Sequence, residues 1–404
     1  MLTESSFAPP ARLCHAPLMK PLALRDTARR SLEKNLTETS HGVFLRAGAH
    51  QFASFWTRDF CFAVPGLLRL NHAAVARAQI DFLLQHRRAD GLVPRGFDSV
   101  NPKRRVIRHT LLRRWSKPEP AVDRRPLKAE YMGEHNTPCF DSNALLLWAA
   151  ATTALKGGSV DWFRERASFW HQLVEFYDPH RRNGLIHQPP YSDWQDSTRR
   201  EGPGFYVNLV FWRALLAARQ AGVPLLSVPQ EKNLEEKIFH FFFDPLEELF
   251  VQDRRFRQVP LECHLWVLGE NLFTDFISGE KLYQKLRSHP LWNPGGIPVY
   301  PPSKPDQVSW TTKIVGLRHY HDGLVWSWLL AEQARTAHRF GDTAARNHLL
   351  LVAEDSARKQ GWIGEVDRPF GDHLIPFESS LYRSESPFSW GAATWVDVLA
   401  EIGP

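Results

Sequence analysis

Twelve stretches of this chain repeat their apolar residues at helical spacing, and almost nothing between them alternates as a strand does. They lie near residues 24–38, 59–70, 73–88, 140–156, 159–177, 204–221, 229–243, 261–270, 277–288, 321–339, 342–360 and 387–401. In the sixth, Val207, Val210, Phe211, Ala214, Leu215 and Ala218 form one apolar stripe, which leaves the other face free to meet water. The fourth, FDSNALLLWAAATTAL from Phe140, is apolar nearly all round, as a helix buried on both sides must be. An inner and an outer ring of helices accommodates both kinds. Strand signals are few: IPVYPP from Ile297 and LIPF from Leu374 read as loop or hairpin pieces, so no parallel α/β sheet is expected.

A chain of 404 residues exceeds what one solid core serves, so it forms two domains or one large layered or toroidal one. The longest segments without helical spacing, about 89–139, 178–203, 289–320 and 361–386, are rich in Pro, Gly, Trp and Tyr. Loops that long inside a compact domain are usually functional.

The net charge of +6 is local. From Lys103 to Lys128 ten Lys and Arg stand against Glu119 and Asp123, a net of +8 that leaves the rest of the chain at −2. The segment reads as a solvated loop or as a lid that meets an anionic substrate, and nucleic-acid binding is not expected. No apolar run approaches the roughly 20 residues of a membrane span. Cys14, Cys61, Cys139 and Cys263 have no metal or redox spacing, and the amino terminus has no secretory pattern. A soluble protein of a reducing cytoplasm is expected, with no cofactor. His319 and His321, two apart, suit a strand-borne metal site but not one helix face, and no metal site is expected.

The unusual residues gather in the loops and the helix starts beside them. Trp56, Arg58 and Asp59 stand in FWTRDF, Asp141 in CFDSN, Trp194 and Asp196 in SDWQDS, Tyr320, Asp322 and Trp326 in HYHDGLVW, Glu365 in GWIGEV and Trp390 in PFSWGAA. Each pairs an aromatic ring with a nearby carboxylate. Sugars call for that combination, because their C–H faces pack on rings while their hydroxyls bond charged or amide groups. With 15 Trp against 3 Met, the aromatic supply exceeds what core filling would select.

In their order, WTRD (56–59), DGLVP (90–94), DWQDS with an Asn-containing helix (193–208), YHDGLVW (320–326) and GEV with a downstream PFSWGAA resemble the (α/α)6-barrel glycosidases. The resemblance runs over about residues 25–401. It is to the amylo-α-1,6-glucosidase part of glycogen-debranching enzymes, to the processing α-glucosidase I family with its glucosylglycerate-type hydrolases, and to the alkaline/neutral invertases. It implies an all-α (α/α)6 toroid of about twelve helices with its active-site loops at one end. The expected layout is an N-terminal extension over 1–23 and one catalytic domain over 24–404, with a basic insertion at about 99–130. By local pattern it implies Asp196 as general acid and Glu365 as general base, with Asp193 and Glu385 as their rivals. It further implies an inverting, exo-acting hydrolase of an α-glucoside or related short sugar, with a small carbohydrate, neutral or anionic, as its partner. Trp56, Arg58, Asp59, Asp141, Trp194, Tyr320, Asp322, Trp326 and Trp390 are then the substrate-binding residues.

Structural readings compete with several of these. Asp196 and Asp141 would both serve as helix N-caps, and Arg58 with Asp59 as a buried ion pair. At the level of function, the alternatives are a sugar isomerase on the same toroid, working through paired histidines, and a sugar-binding protein without catalysis.

Overall fold

The computed structural model describes residues 22–112, 117–133, 135–293, 295–371 and 373–403. Most of the expected 1–23 extension, with Cys14, and Arg113 and Arg114 of the basic segment lie outside the described residues.

Fifteen helices are present among the described residues: α1 (Leu22–Lys34), α2 (Thr57–Arg69), α3 (Ala73–Gln85), α4 (Pro102–Leu111), α5 (Ser142–Lys156), α6 (Val160–Arg164), α7 (Ala167–Glu175), α8 (Phe205–Gln220), α9 (Val228–Phe242), α10 (Leu261–Gly269), α11 (Gly279–Ser288), α12 (Trp310–Ile314), α13 (Ser327–Arg339), α14 (Thr343–Gln360) and α15 (Ser389–Ile402). Six of them touch in a closed cycle, α2 to α5 to α8 to α10 to α13 to α15 and back to α2. Outside this ring α3 packs on α2 and α5, α6 and α7 on α5, α9 on α8, α11 on α10, α14 on α13, and α1 on α14 and α15.

The ring explains which helices are apolar throughout. Helix α5 is flanked by α2, α8 and an outer layer, and nearly all its residues from Ser142 to Ala154 are buried. Helix α8 departs from the expectation of a wet face. It too belongs to the ring, and Tyr206, Asn208, Trp212 and Arg213, which fall off its apolar stripe, are buried as well. Burial requires that polar groups find partners. The Tyr206 hydroxyl donates to Asp141 at 2.8 Å, Asn208 bridges Ile186 and Gly204, and Arg213 Nε donates to Glu270 at 2.9 Å. A stripe read by hydrophobicity alone misses such satisfied polar groups.

The centre of the ring is filled by aromatic rings. Phe62 of α2 stacks on Trp390 of α15 at 4.3 Å, Trp390 on Trp328 of α13 at 4.3 Å, and Phe62 on Trp266 of α10 at 5.5 Å. Truncating one such ring to Ala costs about 3 to 5 kcal/mol. Trp170, Trp292, Trp328 and Trp395 are also fully buried, so most of the tryptophan surplus builds the interior rather than a sugar surface.

The chain is helix-rich but not all-α. Strands of two to five residues pair into small sheets, and four of them lead straight into a ring helix: Phe55–Trp56 into α2, Val259–Pro260 into α10, Val325–Trp326 into α13, and Gly202–Pro203, one residue removed, into α8. Segments that short carry no readable alternation. The stretch expected as one helix over 159–177 is broken into α6 and α7. The expected helix from 321 begins only at Ser327, because Val325 and Trp326 pair with Asp367 and Val366.

The basic segment is largely ordered rather than a free loop. It contains α4, and Arg105 is buried against Asp98 and the Ser54 hydroxyl, while Arg125 pairs with Asp123 at 2.8 Å and Arg124 with Glu38. Much of its positive charge is therefore matched by carboxylates. Among the described residues no helix is long and apolar enough to cross a membrane.

Candidate active site

WTRD, CFDSN, YHDGLVW and PFSWGAA lead into the ring helices α2, α5, α13 and α15, DWQDS and GEV stand in the loops ahead of α8 and α15, and side-chain contacts link these segments around the ring. Trp56 ends its strand where α2 begins, and WTRD meets DGLVP there: Thr57 N–H donates to Arg95 O at 2.9 Å and its hydroxyl to Pro94 O at 2.6 Å. Arg58, in the first turn of α2, donates through Nε and Nη2 to Asp141 at 2.8 and 3.1 Å. Asp141 precedes α5, is fully buried, and also accepts the Tyr206 hydroxyl from α8. Its side chain caps no helix. The N-cap reading therefore gives way to one in which Asp141 orients Arg58.

The other side of Arg58 faces Asp196. Arg58 Nη1 lies 3.5 Å and Arg95 Nη2 3.8 Å from Asp196 Oδ2, and the Asp196 side chain is 37% exposed. Asp196 stands in the loop before α8 and is too far from that helix to cap it, since Gly204 holds the cap position. Asp193 has a different setting: it is 1% exposed, forms an ion pair with Arg200 at 2.8 Å and accepts from Gln188 at 2.7 Å and Gln195 N–H at 2.9 Å. Both its oxygens are engaged internally, whereas Asp196 opens toward solvent. Asp59 is half-buried, and burial, opposed by Arg58 and helped by the neighbouring Asp196, pushes its carboxyl up to about 7.

Trp56 lies half-buried under the Arg95 guanidinium, 4.4 Å from its ring centre, and its Nε1 is buried without a partner in the protein. Gln195 Nε2 is in the same state next to Asp196. Trp194 turns inward, donating from Nε1 to Glu262 at 2.9 Å at the start of α10. Burial pushes Glu262 up to about 7, with Arg200 opposing.

Before α13, Trp326 donates from Nε1 to Tyr320 O at 3.0 Å and stacks on His321 at 5.4 Å. Asp322 is buried, accepting Ser303 N–H at 2.7 Å and lying 3.0 Å from His319 Nδ1. Trp390 belongs to the aromatic centre. Glu365 is 2% exposed, and the hydroxyls of Tyr320 and Tyr382 donate to its two oxygens, with Glu385 N–H at 3.3 Å as a third donor. Burial pushes Glu365 up to about 8 although the two tyrosines favour its charged form. Glu385, the rival, is also buried but holds backbone: Ala49 and His50 N–H donate to Oε1 at 3.0 and 2.9 Å and Phe52 N–H to Oε2 at 2.9 Å. It ties the last loop to the loop before α2 and so closes the circle of contacts.

The structure thus adds Arg95, Gln195, Glu262, His321 and Tyr382 to the residues read from the sequence. Arg95 and Tyr382 had a signal there, Arg95 directly after DGLVP and Tyr382 in the aromatic, acidic run ahead of PFSWGAA. Among the described residues no group of His, Cys, Asp or Glu is arranged to hold a metal ion.

No protein-family model matches this chain, and no curated protein matches it in sequence. Solved structures do share its fold. A rhamnosidase from Klebsiella oxytoca with rhamnose bound superposes over 93% of this chain with a TM-score of 0.62 at 14% identity, and the chain spans 63% of that protein's length. A GH63 mannosylglycerate hydrolase from Thermus thermophilus in complex with Tris gives a TM-score of 0.60 at 12% identity over 93% of this chain and 99% of that one. A glycosidase variant in complex with glucose gives 0.58 at 14% identity over 95% and 98%. At these identities the likeness establishes a fold shared with glycosidases, and the activity has to be argued from the site.

Proposed function

We propose that this chain is a glycoside hydrolase built on an (α/α)6 toroid, a single catalytic domain over 24–404, with Asp196 as general acid and Glu365 as general base. One observation carries the reading. Asp196 precedes α8 and Glu365 stands ahead of α15, and these two helices are opposite members of the six-helix cycle. Inversion by single displacement needs two carboxyl groups on opposite faces of one sugar, and carboxyls carried ahead of opposite ring helices suit that requirement. Beside Asp196, Arg58, Asp59 and Arg95 supply groups for sugar hydroxyls, with the Trp56 ring under Arg95.

In this mechanism the Asp196 carboxyl gives its proton to the leaving oxygen while the Glu365 carboxylate takes one from the attacking water. The base must be ionised to act, and the Tyr320 and Tyr382 hydroxyls stabilise that ionised form against the cost of burial. The substrate we propose is a short α-linked sugar, taken from its end in a cytoplasmic setting.

The test is reducing-sugar release from a panel of α-linked disaccharides, with the first-formed anomer followed by NMR. Asp196→Asn and Glu365→Gln should each lower kcat by about 10² to 10⁴-fold. Interconversion of free sugars without release would instead reveal an isomerase, and binding without turnover a sugar-binding protein. A product of retained configuration would remove the inverting assignment.

A further inference from the structure

Asp196 itself has little that fixes its direction. Its contacts to Arg58 and Arg95 are long, 3.5 and 3.8 Å, and its side chain is partly in solvent. The order of this carboxyl must come from its backbone, and the next residue shows how. The Ser197 hydroxyl and His321 Nδ1 are hydrogen-bonded at 2.6 Å, and both residues are buried. Ser197 O accepts Ser309 N–H at 2.8 Å, Arg199 N–H donates to Gln307 O at 2.6 Å, and Thr198 bridges Val308. The chain leaving Asp196 is thereby bridged to 307–309.

That second piece is fastened by the neighbour of His321, since Asp322 accepts the Ser303 N–H. His321 cannot swing away: it stacks on Trp326 with planes 6° apart and meets Trp194 edge-on at 5.3 Å. Thr198 N–H donates to Gln195 O at 2.8 Å, which closes a turn with Asp196 and Ser197 at its centre. Ser197 is held inward by His321, and Asp196 beside it is the partly exposed residue of the turn, next to Arg58 and Arg95.

We propose that His321 is a positioning residue that, through the Ser197 hydroxyl, fixes the backbone carrying Asp196 and so aims its carboxyl at the leaving oxygen. The inference rests on Asp196 being the acid, and its test separates the two claims. Two substrates are compared, an α-linked glucose disaccharide, whose leaving group needs a proton, and α-D-glucosyl fluoride, whose leaving group needs little help. Asp196→Asn should lose far more on the disaccharide than on the fluoride. Ser197→Ala and His321→Phe, the latter keeping a ring on Trp326, should lose about 10- to 100-fold in kcat on the disaccharide with KM little changed, and less than about threefold on the fluoride. Ser197→Thr, which keeps the hydroxyl, should restore most of the rate. The double variant should be no worse than the poorer single one, because both remove the same link.

Equal losses on both substrates, or full activity in Ser197→Ala, would overturn the positioning role while leaving Asp196 as acid. If Asp196→Asn itself fails to discriminate between the substrates, the acid assignment falls and the positioning proposal with it. Should His321→Phe not fold, the Ser197→Ala and Ser197→Thr pair decides alone.

Discussion

Four acidic side chains ahead of two ring helices differ little in sequence context and greatly in surroundings. Asp193 is saturated by Arg200, Gln188 and backbone, and Glu385 by three backbone N–H groups, whereas Asp196 is open and Glu365 is held only by hydroxyl and amide donors. Two donors from tyrosine favour the Glu365 carboxylate, and burial disfavours it more, which leaves it at about 8. If Glu365 is the base, the acidic limb of kcat/KM for the free enzyme should lie well above the usual carboxylate range. Tyr382→Phe removes one bond to the charged form, so the neutral form gains and the pKa rises. That limb should then move up by about one pH unit, because a hydrogen bond to a charge contributes about 1.5 kcal/mol or more. A pH–rate profile measured from 5 to 10 checks it. A loss of rate that is equal at every pH would show that Tyr382 only packs.

At the scale of elements, ten of the twelve helical stretches read from apolar spacing coincide with observed helices to within a few residues. Helices α4 and α12 lie in stretches without apolar periodicity; α4 is basic on one side and rests on Arg105, whose guanidinium is matched by Asp98. A pattern of hydrophobicity cannot register a helix held by an ion pair. The tightest joint of the ring is between α2 and α15, where Gly66 lies against the Ala393 backbone. A Cβ at Gly66 would stand 2.4 Å from Ala393 O and 2.6 Å from its Cα. Gly66→Ala therefore sets two effects against one another. Helix propensity favours Ala by about 1 kcal/mol, and overpacking of a backbone contact costs about 1 to 3 kcal/mol with little room to relax. The clash should win, lowering the denaturant midpoint with an unchanged slope. A stabilised variant would mean that α2 and α15 can part without cost.

For the whole molecule, the buried carboxylates set a dependence of stability on pH. Glu365 at about 8, Asp59 and Glu262 at about 7 and Asp367 at about 6 are all raised above their unfolded values. A raised acid binds its proton more tightly in the folded state, so its contribution is present at low pH and is lost as pH rises through the folded value. Buried histidines lowered by desolvation, such as His264 at about 4, act in the opposite sense but only below their unfolded value of 6.5. Above pH 6.5 the histidine effect fades within about one pH unit while Glu365 titrates through the whole range, so the melting temperature should fall between pH 6.5 and 8. Calorimetry at constant ionic strength checks it, with Glu365→Gln expected to flatten the slope; a melting temperature that rises toward pH 8 would sink the argument. Periodicity alone determined the place of most of the long helices, because an apolar face repeats along the chain whatever it later packs against. The order of the motifs pointed to a glycosidase-like site. Only the tertiary structure decided that these helices close into a ring, that Trp390 and Trp194 face inward, that Asp141 serves Arg58, and that Asp196 rather than Asp193 is open. Those outcomes depend on which groups meet across long separations of chain, and a carboxylate's burial and partners are properties of that meeting, not of its neighbours in sequence.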